Sequence, residues 1–203
     1  LRWRTEDGRF VPPDKFIPVA EHSGLIVALG QWVLMAACAA MRELLDAGVA
    51  PQRIAINVST VQLQDPGFLE IVCAALASSG LRGDHLELEI TESVAALPTD
   101  LLKSTLSALR AEGVSIAIDD FGTGYSNLNN LHALNVDVLK IDKSFVDMLT
   151  SNSTSHMIAE HIIQMANSLR LKIVAEGVET AGQVAWLQKR GVQYCQGWHF
   201  AKA

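Results

Sequence analysis

The chain has 203 residues, of which 49 % are hydrophobic and 19 % are charged, and its formal net charge is −6. This length and this share of core-forming residues predict a single compact domain and exclude the disordered and fibrous classes. Lysine and arginine are scattered along an acidic chain, which argues against binding to polymeric DNA or RNA through a basic surface.

The most apolar stretch of the chain runs from Gln31 to Ala40. Arg42 and Glu43 interrupt it well before the roughly 20 residues that a bilayer span needs. We therefore expect no membrane span in this segment, and its start has none of the marks of a signal peptide. Three cysteines show no disulfide or metal spacing and are expected to be small core residues in a reducing compartment.

Six short strand candidates follow, separated by helical patterns, and several are continuous apolar runs typical of a parallel sheet covered by helices. They are Arg53 to Val58, Leu86 to Thr91, Val114 to Asp119, Asp137 to Ile141, Lys172 to Ala175 and Val192 to Cys195. The helix ends are also marked, by Thr99 as N-cap of a helix through Arg110 and by Gly48, Gly113 and Gly191 just past helix ends. This alternation predicts an α/β fold, either a doubly wound sheet or a closed barrel.

Every predicted strand carries a polar residue at or just beyond its C-terminal end. In chain order these residues are Asn57, Glu89 with Glu92, Asp119 with Asp120, Lys140, Glu176 and Gln196. In a barrel of parallel strands the C-terminal rim gathers catalytic groups from several strands, whereas a doubly wound sheet concentrates them at a switch point. The pattern therefore favours the barrel.

Five of these residues are oxygen donors, namely Asn57, Glu89, Asp119, Asp120 and Glu176. Oxygen donors suit Mg²⁺ or Mn²⁺ and argue against zinc. Four carboxylates at one rim cannot all stay ionised without a compensating charge, so metal is the simpler solution.

Neighbouring strand residues point to opposite faces, so Asp119 and Asp120 are expected to serve one site only where the strand ends. Gly122 and Gly124 supply a turn there. A pair of aspartates suits two cations roughly 4 Å apart, which is the spacing of two-metal phosphodiester cleavage. On the next strand, Lys140 is expected to polarise the attacking water, or else to take its proton or stabilise charge on phosphorus.

Each residue also has a purely structural interpretation. A lone aspartate at a strand end is more often a helix cap or a turn residue. Glu92 and Glu179 fit loop-anchoring groups that bond backbone, Lys140 alone fits an ion-pair partner, and Gln196 alone fits a surface amide. The six histidines have no ligand spacing and are expected at the surface or in the core.

Seven stretches together carry a family resemblance over essentially the whole chain. They are FIPVAEHSGLI, INVSTVQL, LELEITES, AIDDFGTGYSNL, LKIDKSFV, IVAEGVET and QGWHF. In this order they resemble the EAL-domain phosphodiesterases, which hydrolyse cyclic di-GMP on a (β/α)8 TIM-like barrel. The resemblance implies conversion of cyclic di-GMP to linear 5′-pGpG, with Mg²⁺ or Mn²⁺ as two ions per active site.

The resemblance also implies a role for each residue. Asn57, Glu89, Asp119, Asp120 and Glu176 look like metal ligands, with Asp119 bridging the ions. Lys140, Glu176 and Asp119 look catalytic, and Gln196 resembles the glutamine near the attacking water. Glu92 resembles the glutamate that anchors the DDFGTG loop, and Glu179 is placed with it as a loop-anchoring residue.

The start of the chain departs from the family pattern. The sequence begins Leu1-Arg2-Trp3, so Arg2 looks like the phosphate-contacting arginine, and the family's namesake glutamate would precede Leu1. We therefore expect residues 1–203 to be an N-terminally incomplete EAL domain that lacks the first strand and most of the second. In such a chain metal affinity is expected to fall.

The alternative of a different class is a non-catalytic receptor that binds cyclic di-GMP and signals through its partners. A barrel enzyme using metal on another phosphoester is the third. Family members often pair as homodimers and often join sensor or cyclase-like domains, so these partners are expected. The expected location is cytoplasmic, including as part of a larger membrane-tethered protein.

Overall fold

The computed structural model describes residues 1–49, 51–95, 99–122, 134–150 and 154–201. Within these ranges the strands are β1 (Trp3–Arg4), β2 (Phe10–Val11), β3 (Ile54–Asn57), β4 (Leu86–Thr91), β5 (Ser115–Phe121), β6 (Val138–Ile141), β7 (Lys172–Ala175) and β8 (Tyr194–Cys195). The helices are α1 (Pro13–His22), α2 (Leu25–Asp46), α3 (Thr60–Leu63), α4 (Phe68–Ser79), α5 (Glu92–Ala95), α6 (Asp100–Ala111), α7 (Lys143–Asp147), α8 (Thr154–Ser168) and α9 (Ala181–Lys189). Gly83–His85 and Met148–Thr150 form short 3-10 helices.

The chain divides into two compact units. The first comprises Leu1–Leu88 and Asp100–Val114, and the second comprises Glu89–Thr99 and Ser115–Ala203. Strands β3 to β8 follow one another in chain order within their sheet, and β5, β6, β7 and β8 pair in parallel. A doubly wound sheet reverses its strand order at a switch point, so the observed order favours the barrel class.

The strand candidates are recovered with small differences at their ends. β4 and β7 have the predicted bounds, whereas β8 begins at Tyr194 because the backbone N–H of Val192, beyond the end of α9, bonds back to that helix. The N–H of Val192 donates to the carbonyl of Leu187, which closes the last turn of that helix at 3.2 Å. β5 extends past Asp119 to Phe121.

A short hairpin near the start, formed by β1 and β2, was not among the strand candidates. Its turn contains Asp7-Gly8, and Gly8 has a φ of +82°. The N–H of Gly8 donates to the carbonyl of Thr5 at 2.9 Å. The Asp-Gly dipeptide is the sequence signal that predicts such a hairpin turn.

Helix α2 is the dominant helix of the first unit. By length and composition it is apolar enough to cross a membrane. Its buried residues recur along one face, at Ile26, Gly30, Leu34, Cys38 and Met41, which is the pattern of a helix packed into a domain. At Gly30 the Gln62 side chain occupies the space of a Cβ. The absence of a membrane span therefore stays a prediction.

The second unit has its core in β5, β6 and β7. Ile116, Ile118, Leu139 and Ile173 are fully buried there, as continuous apolar strands of a covered parallel sheet require.

Gly113 and Gly191 have positive φ values just past α6 and α9, as predicted for helix C-termini. Cys38 is buried and Cys73 and Cys195 are partly buried, all three as thiols.

Candidate active site

The ammonium group of Lys140 lies among three carboxylates in the second unit. Its Nζ is 2.7 Å from Glu89 Oε1, 2.9 Å from Asp119 Oδ1 and 2.7 Å from Glu176 Oε1. The Lys140 side chain is only 6 % exposed. The three donors of an ammonium therefore find three anionic acceptors in a largely desolvated position.

Parallel strand register brings two of these groups together. Lys140 pairs with Val174 of β7, and Glu176 follows that strand directly. The N–H of Glu176 donates to the carbonyl of Ile141 at 3.0 Å, which continues the ladder one residue past the strand. Gln196 follows β8 in the same way, and its Nε2 donates to Glu176 Oε1 at 2.5 Å.

Asp119 and Asp120 come together through a bulge within β5 and not through the end of the strand. The β5–β6 register shifts between Ile118 and Phe121, and Asp120 has a φ of +54°. A left-handed residue breaks the alternation of side chains, so both carboxylates reach one place. Aspartate tolerates this conformation better than most residues with a Cβ.

One carboxylate oxygen from each of Asp119, Asp120 and Glu176 lies within 4.8 Å of the others. All are oxygen donors, which suits a hard cation such as Mg²⁺ or Mn²⁺. The Lys140 ammonium beside two of them shows that this place already stabilises positive charge. The donor set therefore fits a divalent metal.

Burial and charge shift the pKa values of these groups. Burial lowers the pKa of Lys140, but hydrogen bonds to Glu176, Glu89 and Asp119 outweigh it and raise the pKa above its ordinary value. Burial raises the pKa of Asp120, and the charge of Asp119 adds to the effect. Burial likewise raises the pKa of Glu176, against the opposing effect of Lys140. Asp120 and Glu176 thus lose their protons less readily than ordinary carboxyl groups, even with the lysine present.

The two glutamates expected to anchor a loop differ in their contacts. The buried Glu92 accepts a hydrogen bond through Oε2 from the N–H of Gly122, at 2.7 Å. Glu179 is exposed, and its Oε1 lies 2.6 Å from Lys143 Nζ. Gly124 falls outside the described residues. The anchoring role of both glutamates stays a prediction.

Two further site residues belong to the first unit. Asn57 is the last residue of β3 and Arg2 precedes β1, and both side chains are exposed. Their assignments as metal ligand and phosphate contact also stay predictions. The sequence patterns above do not single out Lys143, although its spacing of four residues from Asp147 on α7 is a sequence signal for an ion pair.

Comparisons with known proteins agree on one family. The family model described as EAL domain matches residues 1–203. The chain is 44 % identical over 197 residues to the bifunctional diguanylate cyclase/cyclic di-GMP phosphodiesterase MucR of Pseudomonas aeruginosa, which covers 97 % of the chain and 29 % of MucR. It is 41 % identical over 202 residues to the cyclic di-GMP phosphodiesterase NbdA of the same organism, covering 100 % of the chain and 26 % of NbdA. The chain thus spans less than a third of each relative.

Solved structures agree with the fold class. The PaMucR phosphodiesterase in complex with c-di-GMP has a TM-score of 0.92 at 42 % identity, covering 99 % of the chain and 81 % of that structure. The FimX EAL domain from Pseudomonas aeruginosa bound to c-di-GMP has a TM-score of 0.86 at 28 % identity, covering 99 % and 80 %. The predicted TIM-like α/β class is confirmed.

Proposed function

Because the chain belongs to the EAL domain family, we propose that it hydrolyses cyclic di-GMP to linear 5′-pGpG in a metal-dependent reaction. The observation that carries the proposal is the contact of Lys140 with Glu89, Asp119 and Glu176. Burying several acidic groups with one cation costs free energy, and groups of this kind are concentrated at functional sites. The names of MucR and NbdA, both phosphodiesterases, add support.

Five residues would hold the metal in this proposal, as two Mg²⁺ or Mn²⁺ ions: Asn57, Glu89, Asp119, Asp120 and Glu176. When bound, such ions neutralise phosphate charge and make water a better nucleophile. The clustering of Asp119, Asp120 and Glu176 supports this assignment. Glu89 supports it through the lysine that it shares with Asp119 and Glu176.

The reaction breaks one P–O3′ bond and forms one new P–O bond to water. One water proton goes to the leaving 3′ oxygen in the overall balance, and the second is released from the new phosphate. A protonated ammonium has donors and no acceptor, so in this proposal Lys140 exchanges one of its three carboxylate contacts for a hydrogen bond that polarises the attacking water. Gln196 holds Glu176 from the end of the neighbouring strand β8, and Arg2 contacts a phosphate in this proposal.

The receptor alternative predicts binding without turnover. The test incubates the protein with cyclic di-GMP and Mn²⁺, follows pGpG by chromatography and measures binding by calorimetry. We expect pGpG to appear with Mn²⁺ or Mg²⁺ and to stop when EDTA is added. Tight binding with no pGpG would select the receptor, and turnover of other phosphodiesters but not of cyclic di-GMP would select another phosphoesterase.

The wider setting is part of the same proposal. The chain covers 29 % of MucR and 26 % of NbdA, which supports a role as one module beside sensor or cyclase-like domains in a longer protein. We propose that it acts in the cytoplasm, where cyclic di-GMP signals, and that it forms a homodimer. Light scattering coupled to gel filtration tests the dimer, since a monomer mass at all concentrations would overturn it.

A further inference from the structure

We propose that Lys143 is a positioning residue for Glu176, acting by clamping the segment from Glu176 to Glu179 against α7. This inference rests on the proposed role of Glu176 as a metal ligand. Lys143 is the first residue of α7 and follows β6 by two positions. It touches neither Glu176 nor the other acidic groups of the site through any contact that is described, so its action is through the backbone.

The aliphatic stem of Lys143 covers Gly177, the residue directly after Glu176. A Cβ at position 177 would lie 2.6 Å from Lys143 Cδ and 2.7 Å from its Cβ, and closer still to Cγ. Such distances are well inside van der Waals contact, so the stem fills the space that a side chain would take. Gly177 has a φ of +66°, which favours glycine for a second reason.

The ammonium group of Lys143 fixes the far end of the same segment. Its Nζ lies 2.6 Å from Glu179 Oε1, in the segment, and 2.9 Å from Asp147 Oδ1, on α7. The ammonium thus links the segment to α7. Lys143 therefore contacts the segment at two points, with its stem at Gly177 and with its charge at Glu179.

The chain after β8 also packs against this segment. A Cβ at Gly197 would lie 2.8 Å from the carbonyl carbon of Gly177 and closer to Val178 N and O. The N–H of Val178 donates to the carbonyl of Gln196 at 3.0 Å. The segment thus contacts both the backbone after β8 and the Lys143 stem, and in this proposal the stem limits how far Glu176 can shift.

A second link keeps α7 in place when Lys143 is replaced. The buried Gln183 donates through Nε2 to the carbonyl of Val146 at 3.0 Å, and its Oε1 accepts from the N–H of Glu179 at 2.8 Å. An exposed ion pair adds little to stability, and the Lys143 side chain is 46 % exposed. Replacing Lys143 should therefore alter the site more than it alters the fold.

The test compares three variants for Mn²⁺ binding by calorimetry, for turnover and for thermal unfolding. Lys143→Ala should raise the Kd for Mn²⁺ about 10-fold, the lower end for loss of a group that orients a metal ligand. Excess Mn²⁺ should restore its turnover. Lys143→Arg should keep the wild-type Kd because it retains a stem and a cation. The control, Arg42→Ala, removes the exposed Arg42–Asp46 pair of α2, with the same spacing of four residues, and should leave the Kd unchanged.

A Kd for Lys143→Ala equal to that of the wild type would overturn the inference, as would an equal loss in Arg42→Ala. If Lys143→Ala does not fold, Lys143→Met decides, because it removes only the ammonium; a wild-type Kd in that variant counts against the clamp. Failure of the wild type to bind Mn²⁺ at all would instead be failure of the proposed function.

A double variant tests the contact at Gly177 directly. Gly177→Ala should weaken Mn²⁺ binding in the wild-type background, because the new methyl group displaces the Lys143 stem or the segment. In the Lys143→Ala background the contacts with Cγ and Cδ are gone and only the contact with Cβ remains, so the same change should weaken binding by a smaller factor. Equal factors in the two backgrounds would show that the stem does not restrain the segment.

Discussion

Glu92 Oε2 accepts a hydrogen bond of 2.7 Å from the backbone N–H of Gly122, which is 30 residues further along the chain. Glu92 opens α5, and Gly122 comes directly after β5, which carries Asp119 and Asp120. A buried carboxylate thus bonds to the backbone just beyond the strand that carries the two aspartates. The bond is charge-assisted, the stronger kind in a desolvated place.

Glu92→Ala is expected to lower turnover about 10-fold or more, because loss of a hydrogen bond to a charged group is worth about 1.5–3 kcal/mol. Glu92→Gln keeps an acceptor oxygen and should lose less. Steady-state kinetics at saturating Mn²⁺ measures both. Equal activity of the alanine variant and the wild type would show that the bond does not support the site.

Lys140→Met is expected to abolish turnover and to destabilise the metal-free protein. Without the ammonium, Glu89, Asp119 and Glu176 repel one another in a place where Lys140 was 6 % exposed. Breaking such a buried set costs about 3–5 kcal/mol. Urea unfolding in EDTA should show this loss, and added Mn²⁺ should recover part of it. An unchanged unfolding free energy in EDTA would contradict the charge balance described above.

Asp119→Asn is expected to reduce turnover by about 100-fold or more, since loss of a metal ligand removes several kcal/mol of charge stabilisation. The substitution keeps the shape of the side chain and removes only the charge. Mn²⁺ binding measured by calorimetry should weaken in parallel. Asp84→Asn is the matched control, because Asp84 is exposed and pairs with Arg82 on the first unit. Near-wild-type turnover in Asp119→Asn would remove the metal assignment.

Asp120→Ala is expected to be less stable than Asp120→Gly, by about 1 kcal/mol, because the φ of +54° disfavours a residue with a Cβ. Both variants lose the same carboxylate, so the difference reports the backbone alone. Asp100 at the start of α6 supplies the opposite control, since alanine there should be more stable than glycine. Urea unfolding in EDTA measures the four variants, and the reverse order at position 120 would exclude the left-handed bulge.

The sequence alone predicted most of the fold and proposed the members of the site. Period and composition placed β4 and β7 at their observed bounds, because aliphatic residues recur in both, alternating with polar residues in LELEIT and as a continuous run in KIVA. The polar residues at the strand ends stood out because they interrupt those runs. The seven motif stretches then predicted the family, which the match over residues 1–203 confirmed.

The tertiary structure decided how these residues meet. Adjacency in sequence predicts opposite directions for Asp119 and Asp120, and only the register shift against β6 and the left-handed Asp120 bring both to one place. Likewise, the ion pair of Lys143 with Asp147 is local and readable from a spacing of four residues. Its contact with Glu179 joins groups 36 residues apart and depends on the packing of α7 against the chain after β7. Local patterns fix which side chains are available, whereas bulges and packing fix the distances between them, because those arise from several strands at once.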